Sequence, residues 1–313
     1  MVNEFKRCDV TMYKYTEEVK VLEARIRIDV YSESLIDKVF EDEIWLSYRL
    51  AEAQLIRNAT KEKPDCIWFK DFSDKRLAYD GKTLYLYGNW YTGELQRLVV
   101  TLVARELEEH GVFPLHATGF NYRGRNVMLL SGEANHGKTM TLIEALHRGA
   151  EMISGETILV SYDGSILAGS KEIFLRRRPK GTERSDLPSG EGWTKFFKSL
   201  PVVRLHAIRP SEKFDLVILP DIDGNFDVEV SKLDEYEKQF QLFVSITMSY
   251  FAPHHLISSG IPIPIIDDLR SRERRANFAL NFTKDKDFYL VRGPNPQKVM
   301  DVIEDLLRGV TND

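Results

Sequence analysis

A short stretch near the middle of the chain has the residue types and the spacing of a phosphate-binding loop. It reads Gly132-Glu133-Ala134-Asn135-His136-Gly137-Lys138-Thr139. This stretch satisfies every fixed position of the pattern G-x-x-x-x-G-K-[ST]. Its glycines allow the backbone to curl so that successive N–H groups point at phosphate oxygens, and the helix that follows adds unpaired N–H groups and a positive dipole end. The sequence therefore predicts a site for a nucleoside triphosphate, with ATP and Mg²⁺ as the expected ligands.

The residues on either side of this loop have the pattern that such a site requires. The apolar run 126–131 predicts a buried strand before the loop, and the stretch from Lys138 to Arg148 predicts a helix that Gly149 ends. In this setting the Lys138 ammonium would reach the β- and γ-phosphates, and the Thr139 hydroxyl would bind Mg²⁺. A strand–turn–helix connection without a ligand is the alternative interpretation.

Two further side chains are suited to phosphoryl transfer. His116 precedes the predicted strand, and Glu156 follows the predicted helix and a return strand at Met152-Ile153. A carboxylate at this position could hold Mg²⁺ directly or through water, and an imidazole is a common general base. Both residues are therefore candidate catalytic residues, and Glu156 and Thr139 are the candidate metal ligands.

The span from Leu115 to Val160 resembles the catalytic core of HPr kinase/phosphorylase, which belongs with the phosphoenolpyruvate carboxykinase-like P-loop proteins. The shared features are a histidine before the P-loop strand, the P-loop itself, a helix that ends in Arg148-Gly149, and a short strand that leads to an acidic residue. The resemblance implies an α/β fold with a mixed-sheet P-loop kinase core, preceded here by an N-terminal α/β region. It also implies transfer of the γ-phosphoryl group of ATP to a hydroxyl, which would belong to a serine of a peptide or small protein, or to a small molecule.

The chain departs from this family at the acidic position itself. Family members carry two aspartates, one that helps to bind metal and one that accepts the proton of the incoming hydroxyl, where this chain has Gly155 and Glu156. Either Glu156 serves both the metal and the proton, or His116 is the base, or the protein is a weak or inactive kinase. A catalytically impaired nucleotide-binding sensor or scaffold is therefore the alternative function, and the phosphorylase activity is the property least safely carried over.

Two arginine-rich segments provide further candidates. Arg176-Arg177-Arg178 adjoins a segment rich in Pro, Gly and Ser, and Arg178 is a candidate catalytic residue because arginine stabilises charge on a transferred phosphoryl group. A solvated strand end is the alternative interpretation. The segment 270–275, with its mixed charges, predicts the start of a surface helix, and an oligomer contact or a substrate clamp is the alternative.

Acidic and histidine residues elsewhere have simpler interpretations. The apolar run 214–220 ends at Asp221, which is typical of a metal-binding carboxylate at the end of a strand. The turn 221–224 is the favoured interpretation, because Asp and Gly are common in turns for their own conformational reasons. His254-His255 has no acidic or cysteine partner at ligand spacing, so we do not predict a metal site there.

The composition limits the class of protein. Hydrophobic residues make up 43% and charged residues 29% of the 313-residue chain, which is typical of a soluble globular protein. The net charge of −5 argues against a protein that coats nucleic acid, and no apolar run suggests a signal peptide or a membrane segment. Cys8 and Cys66 are predicted to be ordinary thiols. We expect a cytoplasmic protein whose partners are the nucleotide and the acceptor, with a homo-oligomer left open.

The same patterns divide the chain into an N-terminal α/β region at 1–110 and a P-loop nucleotide-binding catalytic domain at 111–313. In the first region, alternating apolar and charged residues predict a strand at 22–30, and periodic apolar residues predict a helix at 93–110. Asp80-Gly81 predicts a hairpin whose second arm is 83–87. The second region has predicted strands at 152–153, 158–160 and 214–220, a predicted loop at 179–192 and a predicted amphipathic helix at 295–308.

Overall fold

The chain folds into two mixed β-sheets with α-helices packed against them. The computed structural model describes residues 11–40, 43–131, 136–173, 203–251 and 266–309. The mixed α/β class predicted from the sequence is confirmed.

The first sheet is formed by the N-terminal region. Its strands are β1 (Tyr13–Val21), β2 (Ala24–Ser32), β3 (Gln54–Ile56), β4 (Cys66–Phe69), β5 (Arg76–Tyr79) and β6 (Leu84–Tyr87), and its helices are α1 (Glu43–Leu50) and α2 (Thr92–Glu109). The strands lie in the order β3-β1-β2-β4-β6-β5. Strands β2, β4 and β6 are parallel, and β5 and β6 form the predicted hairpin.

The second sheet contains the strand that leads to the P-loop. Its strands are β7 (Val112–Tyr122), β8 (Arg125–Leu130), β9 (Glu151–Ser154), β10 (Thr157–Ser161), β11 (Ile166–Gly169), β12 (Leu216–Ile222), β13 (Glu229–Lys232) and β14 (Phe288–Gly293). They lie in the order β11-β10-β7-β8-β12-β14-β13, with β9 paired to β7. The helices of this region are α3 (Lys138–His147), α4 (Glu235–Ile246), α5 (Leu269–Thr283) and α6 (Pro296–Gly309), and a π-helical turn (Thr247–Phe251) extends α4.

The two faces of the second sheet are covered by different helices. On β8, Met128 and Leu130 belong to one hydrophobic cluster, and Val127 and Leu129 belong to the other, as the alternation of a strand requires. Helices α3 and α6 pack on the second face, while α2 and α4 pack on the first. Helix α2 also contacts β2, so it lies between the two sheets and is buried on nearly all sides.

One hydrophobic cluster extends across the predicted boundary near residue 110. That boundary falls at Gly111, which has a φ of 72° and separates α2 from β7. Leu98 of α2 and Leu115 of β7 belong to the same cluster of buried residues. The N-terminal region and the P-loop region therefore share a core.

The first strand was not predicted from the sequence, because charged residues occupy buried positions on both of its faces. Glu17 and Glu18 of β1 are buried, which obscures the alternation of apolar and polar residues. Glu18 accepts hydrogen bonds from the Thr60 and Lys61 N–H groups and contacts Arg25. The strand predicted at 22–30 begins two residues later in the structure, since β2 starts at Ala24 after the β1–β2 turn.

A buried triad of Arg275, Asp267 and Glu108 joins α5 to α2. The segment 270–275 does begin a helix, since α5 starts at Leu269, but Arg275 is fully buried and not on the surface. Its Nη2 donates to both Asp267 oxygens at 2.7 and 2.8 Å, and its Nη1 lies 3.3 Å from Glu108 Oε1. Two buried carboxylates thus face one guanidinium, and burial raises the pKa of Glu108 to about 8.

Glu108 should therefore be protonated in the folded protein near neutral pH, and Glu108→Gln tests this. A carboxyl group whose pKa is raised on folding contributes stability that is lost as the pH rises from 4.5 to about 8. We expect the free energy of unfolding of the wild type, measured relative to that of Glu108→Gln in urea titrations, to fall over this range. The Gln variant should lack this component of the pH dependence.

Asp267→Asn is the matched comparison at pH 7. It removes the carboxylate that binds Arg275 at both oxygens, and we expect a loss of roughly 3 kcal/mol of stability, because a buried guanidinium keeps only its longer contacts. A larger loss in Glu108→Gln than in Asp267→Asn would show that Glu108 is ionised.

Candidate functional site

The pairing of β7 brings His116 next to Glu156. Strand β10 pairs antiparallel with the first half of β7, so that Thr157 lies opposite His116, and β9 pairs with the second half, so that Ser154 lies opposite Gly119. The link between β9 and β10 is Gly155-Glu156, which this register places beside His116. His116 Nε2 lies 3.0 Å from Glu156 Oε1.

The described end of the predicted P-loop carries a glycine with a left-handed backbone conformation. Gly137 has a φ of 100°, which favours glycine, and it precedes the first residue of α3. A Cβ atom at Gly137 would lie 2.6 Å from Ile222 Cδ1, so the loop passes directly over the end of β12. Lys138 is buried at the start of α3, and Thr139 beside it is half-buried. The first four residues of the motif, Gly132 to Asn135, lie outside the described residues.

Lys138 completes an electrostatic cluster with the His116–Glu156 pair. Burial lowers the pKa of His116, and the Lys138 charge lowers it further, which outweighs the opposite effect of Glu156. Burial alone would raise the pKa of Glu156, but His116, Arg49 and Lys138 hold it well below its usual range. The imidazole is therefore neutral near pH 7 and its Nε2–H donates to an ionised carboxylate. Within the described residues, the buried Nδ1 atom of His116 has no hydrogen-bond partner.

Arg49 of α1 is a member of the site that the sequence did not reveal. Its Nη1 lies 3.2 Å from Glu156 Oε1, the same oxygen that His116 contacts. The two residues are 107 positions apart, and no motif surrounds Arg49, so only the packing of α1 against β10 shows the contact. The charged cluster is defined as Arg49, His116, Lys138 and Glu156.

Gly155 is fixed by the main chain that runs past it. A Cβ atom at Gly155 would lie 2.0 Å from the carbonyl oxygen of Glu172, which is too close for any side chain. The link is held on its other side by Ser170, whose Oγ accepts hydrogen bonds from the N–H groups of Glu156 and Thr157. An aspartate at position 155, which the resemblance to HPr kinase led us to expect, would collide with this backbone.

Asp221 lies at the C-terminal end of β12, next to the P-loop. Strand β12 is parallel to β8 and adjacent to it, and Asp221 Oδ1 is 3.5 Å from His136 Nδ1. Asp221 also accepts a hydrogen bond from Arg292 Nε at 3.2 Å. The turn predicted at 221–224 begins only after Ile222, because Asp221 is still paired with β14, and Asp223 accepts a hydrogen bond from the Asn225 N–H group within it. Asp221 is thus a second acidic group beside the P-loop.

Arg176-Arg177-Arg178, and His254-His255, lie outside the described residues. In the described part of the chain, no group of three or more His, Cys, Asp or Glu side chains could hold a metal ion. Mg²⁺ requires fewer protein ligands, because one or two carboxylates, substrate phosphates and waters complete its shell. Glu156 and Thr139 therefore remain the candidate ligands.

Comparisons with known proteins add no family assignment. Neither the models of known protein families nor the curated proteins give a match to this chain. Among the helices of the described ranges, none combines the length and the apolar character needed to cross a membrane.

Gly155→Ala should test the packing of the β9–β10 link. We expect a loss of roughly 3 kcal/mol of stability, because the added Cβ must displace the Glu172 main chain. Gly155→Asp should be at least as destabilising, measured by urea unfolding. Gly224→Ala is the control, since a Cβ atom there meets nothing within 4 Å. Equal stability of the Gly155 and Gly224 variants would contradict the steric explanation.

Proposed function

We propose that this protein is an ATP-dependent kinase of the HPr kinase-like type, which transfers the γ-phosphoryl group of ATP to a hydroxyl. The observation that carries this proposal is the convergence of Lys138, His116 and Glu156 at the N-terminus of α3. These three residues come from the P-loop, from β7 and from the β9–β10 link. A connection without a ligand would not require a buried lysine, a buried histidine and a buried carboxylate at one helix terminus.

The proposed roles follow from the charges of the cluster. The N-terminus of α3 and the Lys138 ammonium would bind the phosphates of the nucleotide, since both offer positive charge and donors. Glu156, ionised and buried, would hold Mg²⁺ together with Thr139. Bound there, Mg²⁺ would neutralise charge on the phosphates.

His116 suits the role of proton acceptor better than Glu156. A carboxylate with a strongly lowered pKa is a weak base, and Glu156 already accepts from His116 and Arg49. The neutral imidazole donates through Nε2 and so retains an unprotonated Nδ1. The pKa of His116 is itself lowered and its Nδ1 is buried, but phosphoryl transfer depends mainly on positioning and charge, so a weak base need not abolish it.

The second candidate function is a nucleotide-binding sensor or scaffold without catalysis. The specific observation in its favour is Gly155, whose environment excludes the second carboxylate of the resembling kinases. Both functions require nucleotide binding, but only the kinase would transfer the γ-phosphoryl group to an acceptor. The acceptor in the kinase proposal is a serine of a peptide or small protein, or a small molecule.

Nucleotide binding can be tested by thermal unfolding. We expect ATP with Mg²⁺ to raise the melting temperature by several degrees, because a ligand at about 100 times its Kd stabilises the folded state by roughly 2.7 kcal/mol. Lys138→Ala should abolish this shift. Lys298→Ala, an exposed lysine of α6, is the control and should retain it. The absence of a shift at millimolar ATP in the wild type would refute the P-loop site.

Catalysis can be tested by comparing the two carboxylates near the P-loop. Incubation with ATP and a panel of serine peptides and small hydroxyl compounds should give a phosphorylated product, detected by mass. We expect Glu156→Gln to reduce transfer by roughly 100-fold or more, because it removes a charge from the reaction centre. Asp221→Asn should cost much less. The reverse order would assign the metal to Asp221, and ATP binding without any product would favour the sensor.

A further inference from the structure

Helix α1 ends at Leu50, and the two residues that follow have an unusual backbone conformation. Ala51 and Glu52 have φ angles of 52° and 51°, in the left-handed region, although neither is a glycine. Residues with a Cβ atom adopt this region at an energetic cost, and such conformations persist where the surrounding structure imposes them. Ala51 is fully buried and belongs to the packed core, whereas Glu52 beside it is exposed.

A second irregularity lies on the opposite side of Arg49. Helix α4 passes into the π-helical turn Thr247–Phe251. This conformation is rare in proteins overall, and where it does occur it is often at a functional site. The carbonyl oxygen of Ser249 in this turn accepts a hydrogen bond from Arg49 Nη2 at 2.8 Å. The guanidinium also lies over the Tyr250 ring, 5.3 Å from its centroid.

Both irregular segments are connected to the strand that follows Glu156. Thr157 Oγ1 donates to the carbonyl oxygen of Arg49 at 3.0 Å and lies 2.8 Å from the Tyr250 hydroxyl. Arg49 is thus held through its main chain by β10 and through its side chain by Ser249. The Arg49 side chain is only 14% exposed, so its positive charge is largely removed from water. The carboxylate of Glu156 compensates this charge.

We propose that Arg49 is a positioning residue of the phosphotransfer site, supplied by the N-terminal region to hold the Glu156 carboxylate in place. This inference rests on the proposed function, because it assigns Glu156 a role toward the bound nucleotide and its metal. It makes the site composite, with the P-loop and the acidic residue on the second sheet and one cation on α1. Arg49 also adds a second cation, beside Lys138, to the charged cluster.

The test compares two nucleotide complexes by calorimetry, so that it does not depend on an acceptor. Mg·ADP reports ground-state binding, and Mg·ADP with aluminium fluoride mimics the transferred phosphoryl group. We expect Arg49→Gln to weaken binding of the aluminium fluoride complex by roughly tenfold or more while Mg·ADP binding changes by less than about threefold. Arg49→Lys keeps the charge and should recover part of the loss.

The matched control is Arg25→Gln, which removes an arginine of β2 that contacts the buried Glu18 at 2.9 Å. It should leave both affinities unchanged, and the melting temperatures of the variants compare their folding. Equal loss of both complexes in Arg49→Gln would indicate a structural role and overturn the proposal, as would no loss of either. If the wild type binds no nucleotide, the proposed function itself fails, and the role of Arg49 fails with it.

Discussion

Strand β7 pairs with β10 along its first half and with β9 along its second half, so the link between β9 and β10 lies beside β7 at one defined point. His116 faces Thr157 in this register, and Glu156 lies immediately before Thr157. The chain that continues from β11 passes so close to Gly155 that no other residue fits there. The P-loop strand β8 is the other neighbour of β7, which brings Lys138 to the same place. The candidate site thus depends on a single antiparallel register.

Two buried groups of charges in this molecule show how the balance of charge determines protonation. In the buried triad, two carboxylates face one guanidinium, and Glu108 has a raised pKa because its charge is not fully compensated. In the charged cluster, one carboxylate faces Arg49 and Lys138, and Glu156 has a lowered pKa. In both groups the neighbouring charges act against the effect of burial, and their balance decides which form of the carboxyl group is favoured.

Local patterns in the sequence predicted those elements whose structure is determined locally. The helix predicted at 93–110 is α2, the helix after the P-loop is α3, and the helix predicted at 295–308 is α6. Each of these has periodic apolar residues, and α3 is followed by a glycine in the left-handed region at Gly149. The predicted strands at 152–153 and 158–160 are β9 and β10.

What the sequence could not show arises from contacts between distant segments. His116 and Glu156 were both identified as candidates, but their 3.0 Å contact depends on strand pairing that no local pattern encodes. No sequence pattern around Arg49 predicts a site, because its contact with Glu156 arises from the packing of α1 on β10. From the sequence, Gly155 was interpreted as the loss of a carboxylate. Only the structure shows that the Glu172 backbone leaves no room for a side chain at this position. In each case the decisive neighbour is remote in sequence.

The departure at Gly155 and the contact from Arg49 are linked by the same geometry. The backbone that excludes a side chain at Gly155 also carries Ser170, whose hydroxyl binds the N–H group of Glu156. The single remaining carboxylate is therefore held by its main chain from one side and by Arg49 and His116 from the other. In a site with two aspartates, the pair would share the work of holding metal and proton. In this chain one carboxylate is held by these contacts, and we propose that Glu156 binds the metal, that His116 accepts the proton and that Arg49 orients Glu156.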